Sequence, residues 1–253
     1  FEFEDFPWFP GVLREGQTDY LHFVISNAGI YKPAAAIMKD VLDNSDTNEI
    51  IDLCSGGGGG IDLFQKNIEE ITGRKIKITI SDKYPNIPAF EKIRKMTSES
   101  IDYIKEPVDI KKVPENIKSI RTIFSAFHHF NPDDAGDILK DAVKNKVSIG
   151  IFEGGNKNIL YFLGILLTTP VIFFFITPFL KPFKLSRLFF TYIIPLIPIT
   201  TTWDGLVSIL RMYTPNEMLK MAKEAGGDDY IWKAGKAKGR LGNTIMYLTG
   251  YPK

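Results

Sequence analysis

The chain is poor in the residues that build thiolate or imidazole metal centres. One of its 253 residues is cysteine, Cys54, and three are histidine. An intrachain disulfide is therefore excluded, and a reducing compartment is expected. Thiolate clusters are ruled out and little remains for a histidine-rich site, so no metal is expected. Charge of one sign is also lacking, with 31 Lys and Arg against 30 Asp and Glu. A nucleic-acid surface needs a basic excess, and no nucleic-acid partner is expected. The opening stretch FEFEDFPWFP is acidic and aromatic, without the basic start and apolar run of a secretory leader.

What is present describes a foldable chain, 44% apolar and 24% charged, with length for one large domain or two small ones. Residues 1–46 read as an N-terminal helical cap. Thr18 to Ile25 has mixed periodicity, whereas Ile37, Met38, Val41 and Leu42 mark one face of a helix after Pro33 that ends at Asp43–Asp46. Strand and helix then alternate. Strands are expected at Glu49–Leu53, Lys75–Ile80, Ile120–Ala126 and Val147–Phe152, and helices at Lys66–Gly73, Glu91–Met96 and Asp133–Lys144. A helix from Pro215 to Ala225, stopped by Gly226-Gly227, precedes strands at Tyr230–Lys236 and Asn243–Tyr251. Repeated βα units imply a doubly wound α/β fold, mainly parallel, with an antiparallel edge.

Five glycines, Gly56–Gly60, follow the first strand directly. Such a cluster between strand and helix lets backbone approach a ligand at the carboxyl edge of the sheet. No Lys-Ser or Lys-Thr follows, so this is not a P-loop. The dinucleotide fingerprint also fails, its third glycine falling on Ile61 or Asp62.

Asp52-Leu53-Cys54-Ser55-Gly56-Gly57-Gly58 instead resembles the D-x-x-x-G-x-G loop of class I S-adenosylmethionine-dependent methyltransferases. Asp82 stands where that family has the strand-end acid that holds a ribose diol, Val108-Asp109-Ile110 is similar to its adenine-side segment, and Phe124–Phe130 to its fourth strand end. The resemblance covers 47–153 and 214–253, and the N-terminal segment loosely. It implies a Rossmann-like methyltransferase sheet and S-adenosylmethionine as cofactor. The implied cofactor contacts are Asp52, Cys54, Ser55, Gly56, Gly58, Asp82, Lys83, Val108, Asp109, Ser125 and Tyr20, with Arg14 and Gln17 in the covering segment.

Methyl transfer to a hydroxyl or phenol calls for a general base, and histidine is the commonest choice, whereas a carboxylate acceptor needs only orientation. His128, His129 and Glu153 are the catalytic candidates, each against a packing or solvated alternative. Arg211 is a candidate for an acidic substrate or a surface charge. Trp8 and Phe9 suit an acceptor site or a membrane interface, with a core or lid-packing role as the leading alternative.

Residues 154–213 form a compositional island inserted in the core, with eight phenylalanines and Asp204 as its one acid against five Lys and Arg. Ile159–Leu180 runs 22 residues without charge, about 33 Å as helix and enough for a bilayer core of about 30 Å. Pro170, Pro178, Pro195 and Pro198 are expected to break any continuous span. Lys181, Lys184 and Arg187 would sit on the wrong side of a full hairpin and are expected to meet anionic headgroups. The expectation is a lid in the membrane through residues 159–203, at the cytoplasmic face, against a buried cap or a dimer interface as alternatives. Beside the sheet's carboxyl edge, such a lid implies a lipophilic acceptor. O-methylation of a carboxylate or hydroxyl is the leading expectation, with a loose resemblance to bacterial membrane-associated carboxylate methyltransferases. Carbon methylation of a quinone or isoprenoid, a nicotinamide-dependent lipid reductase and a noncatalytic cofactor-binding membrane module are the alternatives.

Overall fold

The computed structural model describes residues 1–226, 228–239 and 242–253. Gly227, part of the expected helix stop, lies outside them. In the described residues seven strands form one sheet: β1 (Glu49–Leu53), β2 (Lys77–Ile80), β3 (Ile101–Tyr103), β4 (Ile120–Phe124), β5 (Ile149–Glu153), β6 (Tyr230–Lys238) and β7 (Thr244–Pro252). Their order is β3-β2-β1-β4-β5-β7-β6. The first five are parallel, and β7 pairs antiparallel with both β5 and β6. This is the doubly wound sheet with an antiparallel edge that the alternating pattern implied.

Helices cover both faces: α1 (Gly11–Ala28), α2 (Lys32–Asp43), α3 (Ile61–Thr72), α4 (Ile87–Met96), α5 (Pro132–Lys144), α6 (Ile159–Ile176), α7 (Leu185–Leu188), α8 (Leu196–Arg211) and α9 (Pro215–Gly226). Strand alternation sorts the core. Ile50, Ile78, Ile80 and Phe152 meet α2, α3 and α4 through Met38, Phe64 and Phe90. Ile51, Leu53, Ile123 and Ile149 meet α5 and α9 through Ile138, Leu139 and Met218. Strands β4 and β5 are buried along almost their whole length, as parallel strands covered on both faces must be. Strand β4 even buries Arg121, whose Nη1 donates to Asp141 on α5 at 2.7 Å.

Several elements differ from the sequence expectation. Strand β3 has three residues, too few to show a period. Helix α3 begins at Ile61, directly after the glycines, and α4 at Ile87, where Asn86 caps it by accepting the Ala89 N–H. Strand β4 stops before Ser125, which adopts φ 45°. Helix α1, which the sequence shows only as mixed periodicity within an expected helical cap, runs 18 residues.

The island is helical. Pro170 does not break it: α6 passes straight through, forgoing one backbone hydrogen bond. Pro178 lies in the turn after α6, while Pro195 and Pro198 stand at the cap and first turn of α8, where a missing N–H costs little. The stretch Ile159–Phe179 is long and apolar enough to cross a membrane, whereas the segment Leu185–Ile193 meets α8 at 77°. The island docks on α1 through a third cluster of Phe9, Leu13, Tyr20, Phe173, Leu180 and Ile197. Phe173 is fully buried and stacks on Tyr20, ring centroids 3.9 Å apart. Phe173→Ala should lower the unfolding free energy by about 3–5 kcal/mol in denaturant titration. A change under about 1 kcal/mol would show that the island does not pack there.

Candidate functional site

The glycine loop turns the chain from β1 into α3 within a few residues, and its backbone shows why glycine is needed. Gly56, Gly58 and Gly60 have φ of 54°, 67° and 82°, and Cys54 shares the left-handed region at 59°. At Gly58 a Cβ would also lie 2.2 Å from Ile93 Cδ1. Asp52 anchors the loop from beneath. Its buried carboxylate accepts the Ser55 hydroxyl at 2.6 Å and the Thr122 hydroxyl of β4 at 2.8 Å. Burial pushes the Asp52 carboxyl up to about 7, against the lowering effect of those two bonds.

Asp82 lies two residues past β2 and holds the loop from its outer side. Its Oδ2 accepts the Gly56 N–H at 2.9 Å and its Oδ1 the Tyr84 N–H at 2.8 Å. Lys83 pairs with Asp109 at 2.9 Å.

Past β4 the chain makes one tight turn, Phe127–His129. The Ser125 hydroxyl is hydrogen-bonded to Tyr31 and accepts the Gly154 N–H at 3.2 Å. His128 is buried: Glu153 Oε1 accepts its N–H at 3.1 Å, and its Nδ1 lies 2.7 Å from Glu153 Oε2. His129 Nδ1 lies 2.8 Å from Asp5 Oδ1. Burial alone would lower the His129 pKa, but the bond to Asp5 and the charges of Glu2, Glu4 and Asp5 raise it to about 9. Burial would raise that of Asp5, and the bonds from His129 and Arg211 carry it well below the usual carboxylate range.

These elements enclose a cavity of about 790 Å³ at the carboxyl edge of β1, β2 and β4, where folds of this kind bind ligands. Among the expected site residues it brings together Asp52, Cys54, Ser55, Gly56, Gly58, Asp82, Lys83, Ser125 and His129. Arg14 lines it as well. Other expected residues are placed elsewhere. Tyr20 faces the island against Phe173, because α1 turns its other side to the cavity. Gln17 likewise points away and donates to Asp204 at 2.9 Å. Val108 is a core residue whose N–H donates to the Asp82 carbonyl, and Asp109 is engaged with Lys83 and the Lys111 N–H. His128 and Glu153 lie behind the cavity wall, bonded to each other. Arg211 is neither a free surface charge nor part of the lining. It pairs with Glu2 at 3.1 Å and Asp5 at 2.9 Å, and donates to the His129 carbonyl. Phe9 is core, while Trp8 is exposed and stacks on Phe6.

Sequence reasoning missed most of the opposite wall. Glu4, Asp5, Phe6 and Pro7 line it from the N-terminal segment, and Thr18, Leu21, His22 and Ile25 from α1. With Arg14, the α1 residues recur at i, i+4, i+7, i+8 and i+11, a helical face the sequence does carry.

The raised Asp52 pKa has a consequence for stability. The carboxyl has a reference value of 3.8 and titrates at about 7 when folded. Its folded form favours the neutral acid, so the stability it contributes is complete below about pH 3.8 and declines as pH rises through 7. Asp52→Asn should therefore melt higher than the unsubstituted chain above pH 7 and match it near pH 4. Parallel melting curves across that range would count against this titration.

Neither a protein-family model nor a curated sequence matches the chain. Solved structures match its shape. The plantazolicin methyltransferase BpumL, in complex with SAH, aligns at TM-score 0.58 and 12% identity, over 95% of this chain and 90% of that one. The citrinin polyketide synthase CMeT domain aligns at 0.53 and 10%, over 90% of this chain and 55% of that one. An O-methyltransferase family protein from Burkholderia thailandensis aligns at 0.50 and 11%, over 93% and 59%. This chain thus spans somewhat over half the length of the latter two. The fold is that of the S-adenosylmethionine-dependent methyltransferases.

Proposed function

We propose that this protein is an S-adenosylmethionine-dependent methyltransferase that acts on a lipophilic or amphiphilic small molecule at the cytoplasmic face of a membrane, by O-methylation of a carboxylate or hydroxyl. The observation that carries the reading is the partition made by α1. One side of this helix lines the cavity, and the other carries the island, whose outer surface is apolar.

The residues at the loop end fit the cofactor. The strained turn at Gly56–Gly60 presents backbone to the cavity, and Asp82 sits at the strand end with both oxygens fixed. When bound, the cofactor supplies an electrophilic methyl group on a sulfonium. The protein's part is then positioning and exclusion of water. At the other end Phe6 and Phe130 give aromatic walls, and Arg14 brings a guanidinium whose Nη2 donates to the Phe6 carbonyl at 2.6 Å and whose Nε is buried without a partner. A planar cation in an aromatic pocket suits a carboxylate acceptor, which is already ionised and needs no base.

The outer face supports contact with lipid. Leu160, Leu167, Phe175 and Phe179 are each two-thirds or more exposed, joined by Val171, Phe183, Leu185 and Ile193. A patch this continuous marks an interaction surface. The basic residues contribute less to headgroup contact than their sequence suggested. Arg187 is buried on Asp19 and on the carbonyls of Leu180 and Pro182, and Lys184 pairs with Glu15 and Asp19. Lys181 alone of the three stays exposed.

Calorimetry with S-adenosylmethionine should show binding in the unsubstituted protein and a loss of about tenfold or more in Asp82→Ala, which frees the loop. With methyl-labelled cofactor and a lipid extract supplemented with fatty and aromatic acids, organic-phase label released as methanol by mild alkali is the expected result. Alkali-stable label would move the acceptor to an ether or carbon. Cofactor binding with no organic label would favour a noncatalytic module. For the membrane, Leu167→Ser, Phe175→Ser and Phe179→Ser together should lower partition into liposomes at least about tenfold, since burial of each side chain is worth about 1.5–3 kcal/mol. Unchanged flotation would exclude this face as the contact.

A further inference from the structure

We propose that Glu2, His128 and His129 form a binding site for a divalent transition-metal ion of the zinc class, just behind the cavity wall. The inference is independent of the methyltransferase reading, because it rests on side chains outside the glycine loop.

Both imidazoles are aimed. Each has its Nδ1 held by a carboxylate, His128 by Glu153 at 2.7 Å and His129 by Asp5 at 2.8 Å. This is the outer-shell pattern that orients histidine ligands of metals and leaves Nε2 as the donor. The two Nε2 atoms and the Glu2 carboxylate then converge, with one donor atom from each residue within 4.8 Å of the others. His128 Nε2 is buried without a hydrogen-bond partner, 3.9 Å from Glu2 Oε1. His129 Nε2 stands 3.8 Å from Glu2 Oε2 and 3.8 Å from Glu4 Oε1. These separations are too long for hydrogen bonds. Donors around a tetrahedral zinc at about 2.0–2.1 Å are about 3.3 Å apart, so a set that now lies within 4.8 Å would have to contract by at most about 1.5 Å to close on an ion.

The local charge favours a cation. Glu2, Glu4, Asp5, Glu153 and Asp204 gather here, and among the described residues Arg211 is the one Lys or Arg within ion-pair distance of any of them. Even with both imidazoles protonated, five carboxylates would face three cations. Arg211 and the Ser208 hydroxyl each donate to one oxygen of Glu2, at 3.1 and 3.0 Å, and fix the carboxylate toward the histidines. Two nitrogens and one carboxylate leave a fourth position for water or for Glu4. The ion would tie the first residues of the chain to the turn after β4, one shell away from the cavity that His129 and Asp5 line.

The test uses the whole chain, freed of any polyhistidine tag, stripped by a chelator and checked for native near-ultraviolet circular dichroism. Cobalt(II) titration should give about one equivalent with visible d–d bands, bleached by zinc, and zinc should raise the melting temperature. Asp5→Asn, which removes only the outer-shell charge, should weaken binding about 10–100-fold. Glu2→Gln and His129→Gln should abolish the bands. Folded unsubstituted chain that takes up no cobalt at a hundredfold excess overturns the proposal and leaves the cluster as a proton-held clasp. Equal uptake in unsubstituted protein and all three variants overturns it as well, because the ion would then sit elsewhere.

Discussion

The carboxylate of Asp204 accepts the N–H groups of Phe3 and Glu4 and the side-chain amide of Gln17, and through these bonds three separate stretches of chain become one wall. It is the single acid of the island, and it faces inward. A buried carboxylate must find donors, and here they come from the N-terminal turn, which has free N–H groups, and from α1. Glu2 follows the same rule with Arg211 and Ser208. The cavity roof is thus held by desolvated polar bonds between segments some two hundred residues apart, with the apolar cluster around Phe173 beneath them.

That arrangement couples two surfaces. Helix α1 cannot tilt without moving both the cavity face of Thr18 and His22 and the island face of Leu13 and Tyr20. Gly16 reflects how tightly the second contact is drawn, since a Cβ there would sit 2.5 Å from Ile197 Cδ1 on α8. Interiors packed to this density transmit displacement rather than absorb it. The same helix that packs on the island also meets the glycine loop, where Gly57 and Gly60 lie against Thr18 and Ile25.

The parts legible in the sequence were those whose physics is local. A strand ending in glycines, an acid closing the next strand and period-two apolar runs each follow from a few adjacent residues, and they gave the sheet and one wall of the cavity. Helix α1 was obscured because it buries two faces, one in the cavity and one against the island, so no single stripe stands out. Tyr20 was assigned to the wrong side for the same reason. The acids of FEFED carry no sign of their role, since nothing nearby in the sequence shows that Glu2 meets His128 and Arg211. Lys184 and Arg187 looked free because their partners, Glu15 and Asp19, lie far away in the chain. Pro170 was expected to break the helix, yet α6 continues through it with one backbone hydrogen bond forgone.

The position of β7 bears on the order in which the molecule can assemble. Strand β5 has no partner on its outer edge until β7 arrives, and β7 is made after the entire island. A chain emerging from the ribosome would therefore present α6, apolar on every side, while the sheet that anchors it is still open along β5. Such an intermediate exposes both a greasy helix and an unpaired strand edge, the two features most prone to aggregate. The stretch of chain between β5 and β7, the whole island included, thus sets how long both hazards persist during synthesis.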